Sequence, residues 1–307
     1  MTLRRGLSIA LGLAVVIGVI LVVGAGPFLR GLAAVSPASI GAALLLTAIT
    51  TAASAIRWRA VAAGFGLQLS WSGAVAACYR SQFLNSVLPG GVVGDVHRAY
   101  RHGRGSGEVA LAARAVATER IAGQVVQLVL VAAVLASLGL TSPVRGIAWI
   151  VGAVVLATGL ALAIAAMPSR GRRFLARERV LLQGVFSEPR RSAVTVGSSV
   201  VVVASLTATF VVACLSVGVE APVRDLVALS LVALTAASLP INVGGWGPRE
   251  AAAGSAFALV GLGAAVGVAA AAAFGVLTLI AVAPGAIVLV VGRVAASPPA
   301  LPKESTA

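Results

Sequence analysis

The sequence predicts an all-α fold, a polytopic transmembrane helical bundle, and three observations predict it. Hydrophobic residues fill 59% of 307 positions and charged residues only 10%, with a mean hydropathy of +1.05. A soluble domain carries roughly 25% charged residues. Apolar runs near or above the ~18–20 residues that a bilayer crossing needs recur along the chain. The basic residues behind the net charge of +14 sit mostly in short segments between those runs. There they orient the chain and meet anionic headgroups, so nucleic acid is not an expected partner.

The elements follow in order. The first apolar run, Leu7–Gly26, follows Arg4 and Arg5 as in a signal peptide. It exceeds the usual apolar core of roughly 7–15 residues, so it reads as a retained span. Further spans are predicted at Ala38–Ile56, Ala115–Leu138, Ile147–Met167, Ala193–Val217 and Ala265–Gly292. Two segments differ, Ser72–Gly94 and Leu226–Val243. Each is long enough to cross, yet each ends in a Pro/Gly break, and the first carries Arg80, Gln82 and Asn85.

Charge distribution decides how those two segments are read. The loop within 168–192 holds seven arginines and is the strongest cytoplasmic signal. If neither odd segment crosses, Arg4, Arg5, Arg57, Arg59, Arg98, Arg101, Arg104, Arg293 and Lys303 also fall inside. Arg30, Arg145, Arg224 and Arg249 are then left outside. A full crossing by the first segment alone would expel Arg98, Arg101 and Arg104 and invert the later loops. The expectation is about six full spans plus two re-entrant hairpins, with both termini cytoplasmic, in the inner (plasma) membrane.

Three spans separate the hairpins, so they enter from opposite sides, as in an inverted repeat. "NSVLPGGVVGDVHR" and "ASLPINVGGWGPRE" share a small polar start, a proline, a glycine-rich turn, then an acid and an arginine. Non-helical backbone at membrane depth is tolerated where protein buries it or where it lines a wet cavity. The expected hairpin backbone is Pro89, Gly90, Gly91 and Gly94 in the first, and Pro240, Gly244, Gly245 and Gly247 in the second. Helix N-termini after Gly94 and Gly247 are expected to turn free amides toward an anion.

Only nine acidic residues occur. Asp95, Glu119 and Glu250 stand out because each lies at or within an apolar segment beside an arginine. At 100° per residue, Glu119, Arg120, Gly123, Gln124 and Gln127 fall within an arc of about 140° on one helix. Charge inside a membrane costs roughly 2.5–3.5 kcal/mol on insertion scales, so such a stripe faces a cavity or a partner. Arg98, Arg120 and Arg249 are candidate anion ligands, since a guanidinium matches phosphate oxygens with a planar fork of donors. The same residues also fit a role that only docks helices, and both roles are compatible.

Other chemistries find no support. Cys78 and Cys214 are isolated in apolar contexts and read as buried small hydrophobes. His97 and His102 have no ligand spacing, so neither a metal nor a cofactor is expected. "GGVVGD" lacks both the dinucleotide spacing and the Lys-Ser/Thr of a phosphate loop. No catalytic arrangement is evident, and the chain is not expected to be an enzyme. Gly261-x-x-x-Ala265 and Gly263-x-x-x-Gly267 are expected to permit close helix packing.

Together, "NSVLPGGVVGDVHRAY", "ATERIAGQVVQLVL" and "SLPINVGGWGPREAAA" closely resemble the lysylphosphatidylglycerol synthase transmembrane region, a flippase-like family. The likeness runs from about Leu7 to Val294, as one domain over 1–294 followed by a short cytoplasmic tail, 295–307. It implies a membrane domain that moves a lipid between leaflets, beside a soluble domain in bifunctional relatives. The motif positions are Pro89, Gly94, Asp95, Arg98, Glu119, Arg120, Gly123, Pro240, Gly244, Gly245, Gly247, Arg249 and Glu250. With Gln124 from the polar stripe, Asp95, Arg98, Glu119, Arg120, Arg249 and Glu250 form the expected translocation site. The sequence stops after "LPKESTA", so synthase activity is not expected. The implied substrate is an anionic or aminoacylated phospholipid, or a glycolipid or polyprenol-linked intermediate. An envelope-lipid enzyme is a candidate partner. A non-transporting scaffold and an ion-coupled transporter of a small anion are the alternatives.

Overall fold

A computed structural model describes residues 25–88, 90–137, 186–239 and 246–294, with single positions at 17, 21 and 152. Ten helices are defined among them. They are α1 (Gly26–Ala33), α2 (Pro37–Gly64), α3 (Trp71–Val87), α4 (Val93–Ser106) and α5 (Val109–Ser137). The second group is α6 (Pro189–Ser216), α7 (Val223–Ala237), α8 (Pro248–Leu259), α9 (Ala264–Ala281) and α10 (Pro284–Val294). The expected spans Leu7–Gly26 (apart from its end) and Ile147–Met167 lie largely outside the described residues. So do the basic loop before 186, the tail, Pro89, Pro240, Gly244 and Gly245.

Four helical stretches are long and apolar enough to cross a membrane: Pro37–Gly64, Val109–Ser137, Pro189–Ser216 and Ala264–Val290. The last was expected as one continuous span. It is instead interrupted by a turn at Val282–Ala283, with Pro284 starting α10. Proline lacks the amide that an uninterrupted helix would use there. A long helix followed by two short ones occurs twice, as α2 to α4 and again as α6 to α8; α5 then follows the first set, and α9 with α10 the second.

Local signals account for the helix ends. The Ser36 and Ser39 hydroxyls form a reciprocal capping box before Pro37. Ser70 caps α3 by accepting from the Gly73 amide. Each odd segment is the first leg of a broken pair, α3 with α4 and α7 with α8. The second legs extend beyond the expected limits, because residues after the glycine break resume helix. At 12 to 17 residues, no leg alone reaches the ~20 that a crossing needs.

The apolar core has two parts. One gathers α2 to α5 around Trp58, Ala62, Ala77, Cys78 and Ala115. The other gathers α6 to α9 around Phe210, Leu226, Val232, Phe257 and Leu277. Helices α2 and α6 pack along each other and join the halves. Both cysteines are free and buried, as expected. Gly267 is a packing glycine: a Cβ there would run into the Ala253 backbone of α8. Gly261 and Gly263 instead form the turn between α8 and α9, with open space at their Cβ positions.

Gly94 was expected as hairpin tip. It lies in the first turn of α4, where a Cβ would strike the Ser81 backbone. Gly94→Ala is expected to force α3 and α4 apart at a cost of roughly 1–3 kcal/mol, the usual range for overpacking. Detergent melting should fall accordingly, whereas Gly41→Ala, with nothing within 4 Å of its new methyl, should not lower it.

Candidate functional site

The site begins at Glu119, which α5 carries at 2% exposure. A carboxylate this deep requires compensating charge, and two other helices supply it. Arg57 of α2 donates through Nε to Oε1 at 2.6 Å. Arg98 of α4 donates through Nη2 to Oε2 at 2.8 Å. The same Arg98 nitrogen reaches Asp95 Oδ1 at 3.0 Å, and Arg120 Nε reaches Asp95 Oδ2 at 2.7 Å. The result is one chain of alternating charge, Arg57–Glu119–Arg98–Asp95–Arg120. Arg98 also lies over the Trp58 ring, 4.5 Å from its centroid, which adds a cation–π contact.

Neutral groups complete the network. The Ser81 hydroxyl and the Asn85 amide each donate to Asp95 at 3.0 Å. Asn85 Oδ1 accepts the Gly94 amide at 2.7 Å, so one side chain ties both legs of the hairpin. Arg57 Nη1 reaches Ser199 of α6 at 3.2 Å. Gly123 makes room for Arg57, since a Cβ there would lie 2.6 Å from Arg57 Nη1.

Arg249 and Glu250 form a second, separate pair on α8. Arg249 donates through Nε and Nη2 to Glu250 Oε1, while Glu250 Oε2 accepts the Gly247 amide at 2.7 Å. The Arg249 guanidinium lies 5.2 Å from the Trp246 ring centroid and 5.1 Å from that of Phe274. Gly247 has φ +115°, a conformation that L side chains rarely adopt.

A cavity of about 400 Å³ connects these groups. Among the described residues its wall includes four arginines, Arg57, Arg98, Arg120 and Arg249, and two carboxylates, Asp95 and Glu119. The α5 stripe read from helical spacing, Glu119, Arg120, Gly123, Gln124 and Gln127, all lies on this wall. Gly90 and Gly91 also contribute, both at positive φ in the break between α3 and α4. An apolar part of the wall comes from Val202, Leu206, Leu234, Leu279 and others.

Three expectations need correction. Glu250 is not among the lining residues; it is fully buried and holds Arg249 and the start of α8. After Gly94 the expected free amides are absent: the helix already starts at Val93, and the Asp95 and Val96 amides donate to the Val92 carbonyl, while Asn85 and Glu250 accept the Gly94 and Gly247 amides. Buried amides need partners, and nearby side chains provide them. Finally, Arg57 belongs in the site, although the sequence reading does not include it among the site residues. The usable signal was a polar stripe, Thr47, Thr50, Ser54 and Arg57, at three- and four-residue spacing on α2, all of it on the cavity wall.

Fold and site define an integral membrane protein whose helices enclose an arginine-rich cavity. Residues 9–285 match the family model described as the lysylphosphatidylglycerol synthase TM region, and the chain belongs to that family. No curated protein and no solved structure matches the chain. The family places it in lipid metabolism or transport.

Proposed function

We propose that this protein is a lipid translocase, moving a phosphate-bearing lipid between leaflets through the cavity. The observation that carries the reading is the composition of the wall. Arginines in excess of carboxylates meet apolar residues of α6, α7 and α9 on one surface. A lipid has the same two parts, an anionic headgroup and acyl chains. Arg120 is half-exposed, and Arg249 of α8 lines the cavity. Beyond their bonds to Asp95, the Gly91 carbonyl and Glu250, the remaining guanidinium N–H groups are donors for a phosphate. The protein acts by binding and re-exposing its substrate, without chemistry on it, and an envelope-lipid enzyme is the class of partner that would supply it.

The two broken helix pairs are read as re-entrant hairpins of an inverted repeat, flanked by six full spans, with both termini cytoplasmic. Short legs, positive-φ glycines and a polar cavity beside the first break support that topology. Cysteine labelling tests it. In a variant with Cys78 and Cys214 replaced, a cysteine at Arg101 should react only from the cytoplasmic side. Labelling from outside would require α3 to cross completely.

A scaffold reading has one observation in its favour: the Glu119 and Asp95 carboxylates are paired by Arg57, Arg98 and Arg120 without a ligand. The deciding experiment is leaflet exchange in vesicles containing the purified protein and a panel of anionic lipids. Protein-dependent exchange is the expected result. A well-folded protein that exchanges none of them would leave the scaffold.

A further inference from the structure

The carboxylates on the cavity wall are already engaged. Asp95 accepts from Ser81, Arg98, Asn85 and Arg120. An ionised carboxylate has about four lone-pair sites, so Asp95 is full. Glu119 Oε1 takes two nitrogens of Arg57 and Oε2 takes Arg98. Among the described residues, a lipid ammonium entering here would meet four arginines and no open carboxylate.

Neutral hydrogen-bonding groups are in the opposite condition. Thr50 is 7% exposed and lines the cavity, yet its buried hydroxyl has no hydrogen-bond partner. Gln124 Nε2, on the same wall, is likewise buried without a partner. Gln82 uses its carbonyl to accept from Thr51 at 2.9 Å. Buried polar groups are normally paired, and leaving one unpaired is costly. A hydroxyl both donates and accepts, so it can answer a threonine hydroxyl or an amide NH₂. An ammonium only donates and cannot accept from Gln124.

We infer that the lipid headgroup is an amine-free, hydroxylated phosphodiester, a glycerol- or sugar-type headgroup, whose hydroxyls pair with Thr50 and Gln124 while arginines hold its phosphate. This deepens the translocase reading and rests on the cavity being the lipid site. An aminoacylated headgroup is disfavoured because, among the described residues, both carboxylates on this wall are already engaged and leave its added positive charge without a free partner.

The test separates substrate choice from transport by measuring each. Native mass spectrometry of the full chain in detergent reads binding, and labelled-lipid exchange in vesicles reads transport. The probes are phosphatidylinositol, phosphatidylglycerol, phosphatidylmethanol, phosphatidylethanolamine and lysyl-phosphatidylglycerol. Phosphatidylmethanol keeps the charged phosphodiester but has no hydroxyl. We expect phosphatidylinositol or phosphatidylglycerol to bind about tenfold more tightly than phosphatidylmethanol, the worth of one or two hydrogen bonds. The two amine-bearing lipids should bind more weakly still. Thr50→Val with Gln124→Leu should erase the preference over phosphatidylmethanol while retaining phosphatidylmethanol binding.

Equal binding of phosphatidylmethanol and the hydroxylated lipids would overturn the inference while leaving the translocase reading intact. Preference for either amine-bearing lipid, or no binding of any probe, would overturn it too. The expected binding preference without exchange would uphold the headgroup assignment and refute transport.

Discussion

Glu119→Gln should cripple folding more than any other single change at the site. Glu119 joins Arg57 of α2 to Arg98 of α4, and both arginines are buried. Neutralising the carboxylate leaves two guanidinium groups facing each other with only Asp95 in compensation. Breaking a buried pair costs roughly 3–5 kcal/mol, because the remaining charge stays desolvated. Expression and the melting temperature in detergent should both fall sharply. Combining Glu119→Gln with Arg57→Gln should recover part of the loss, since one stranded charge goes with its partner. A double variant no more stable than Glu119→Gln alone would mean that Arg57 is compensated elsewhere.

Arg249→Lys should have the largest effect on transport, with much smaller consequences for folding. Lysine keeps the charge, and Glu250 stays paired. What disappears is the planar fork on the cavity wall and its stacking between Trp246 and Phe274. A hydrogen bond to a charged group contributes roughly 1.5–3 kcal/mol, so lipid exchange should fall about tenfold or more. Arg249→Gln is the complement: it removes the charge and strands Glu250. Its stability should drop, and Glu250→Gln added to it should restore part of that drop. Both readouts belong on the same preparations. Unchanged exchange in well-folded Arg249→Lys would remove the guanidinium fork from the mechanism.

The long helices were legible in the sequence because lipid imposes a simple rule, that a crossing must be apolar for about 20 residues. Expected Ala115–Leu138 and Ala193–Val217 correspond to Val109–Ser137 and Pro189–Ser216, with most of the error at the N-terminal ends. Helices continue past their apolar cores when polar side chains find partners, so hydropathy underestimates them. Ala38–Ile56 illustrates the consequence. The helix continues to Gly64, and Arg57, one residue past the predicted end, turns inward to Glu119. Counted as a loop charge, Arg57 supported an orientation; buried and paired, it supports a site. Arg98, at 5% exposure, is likewise a paired residue of the site.

The sequence by itself determined the helical class, the two breaks and the α5 face that carries Glu119 and Gln124. Each follows from local rules: hydrophobic run length, proline and glycine chemistry, and 100° per residue. Only the tertiary structure decided which charges meet. Glu119 took Arg57, 62 positions away in the chain, and left its neighbour Arg120 to Asp95. Glu250 turned back to Arg249 and the Gly247 amide instead of reaching the cavity. Pairing depends on which helices pack together, and desolvation makes the cost of an unpaired charge depend on that packing.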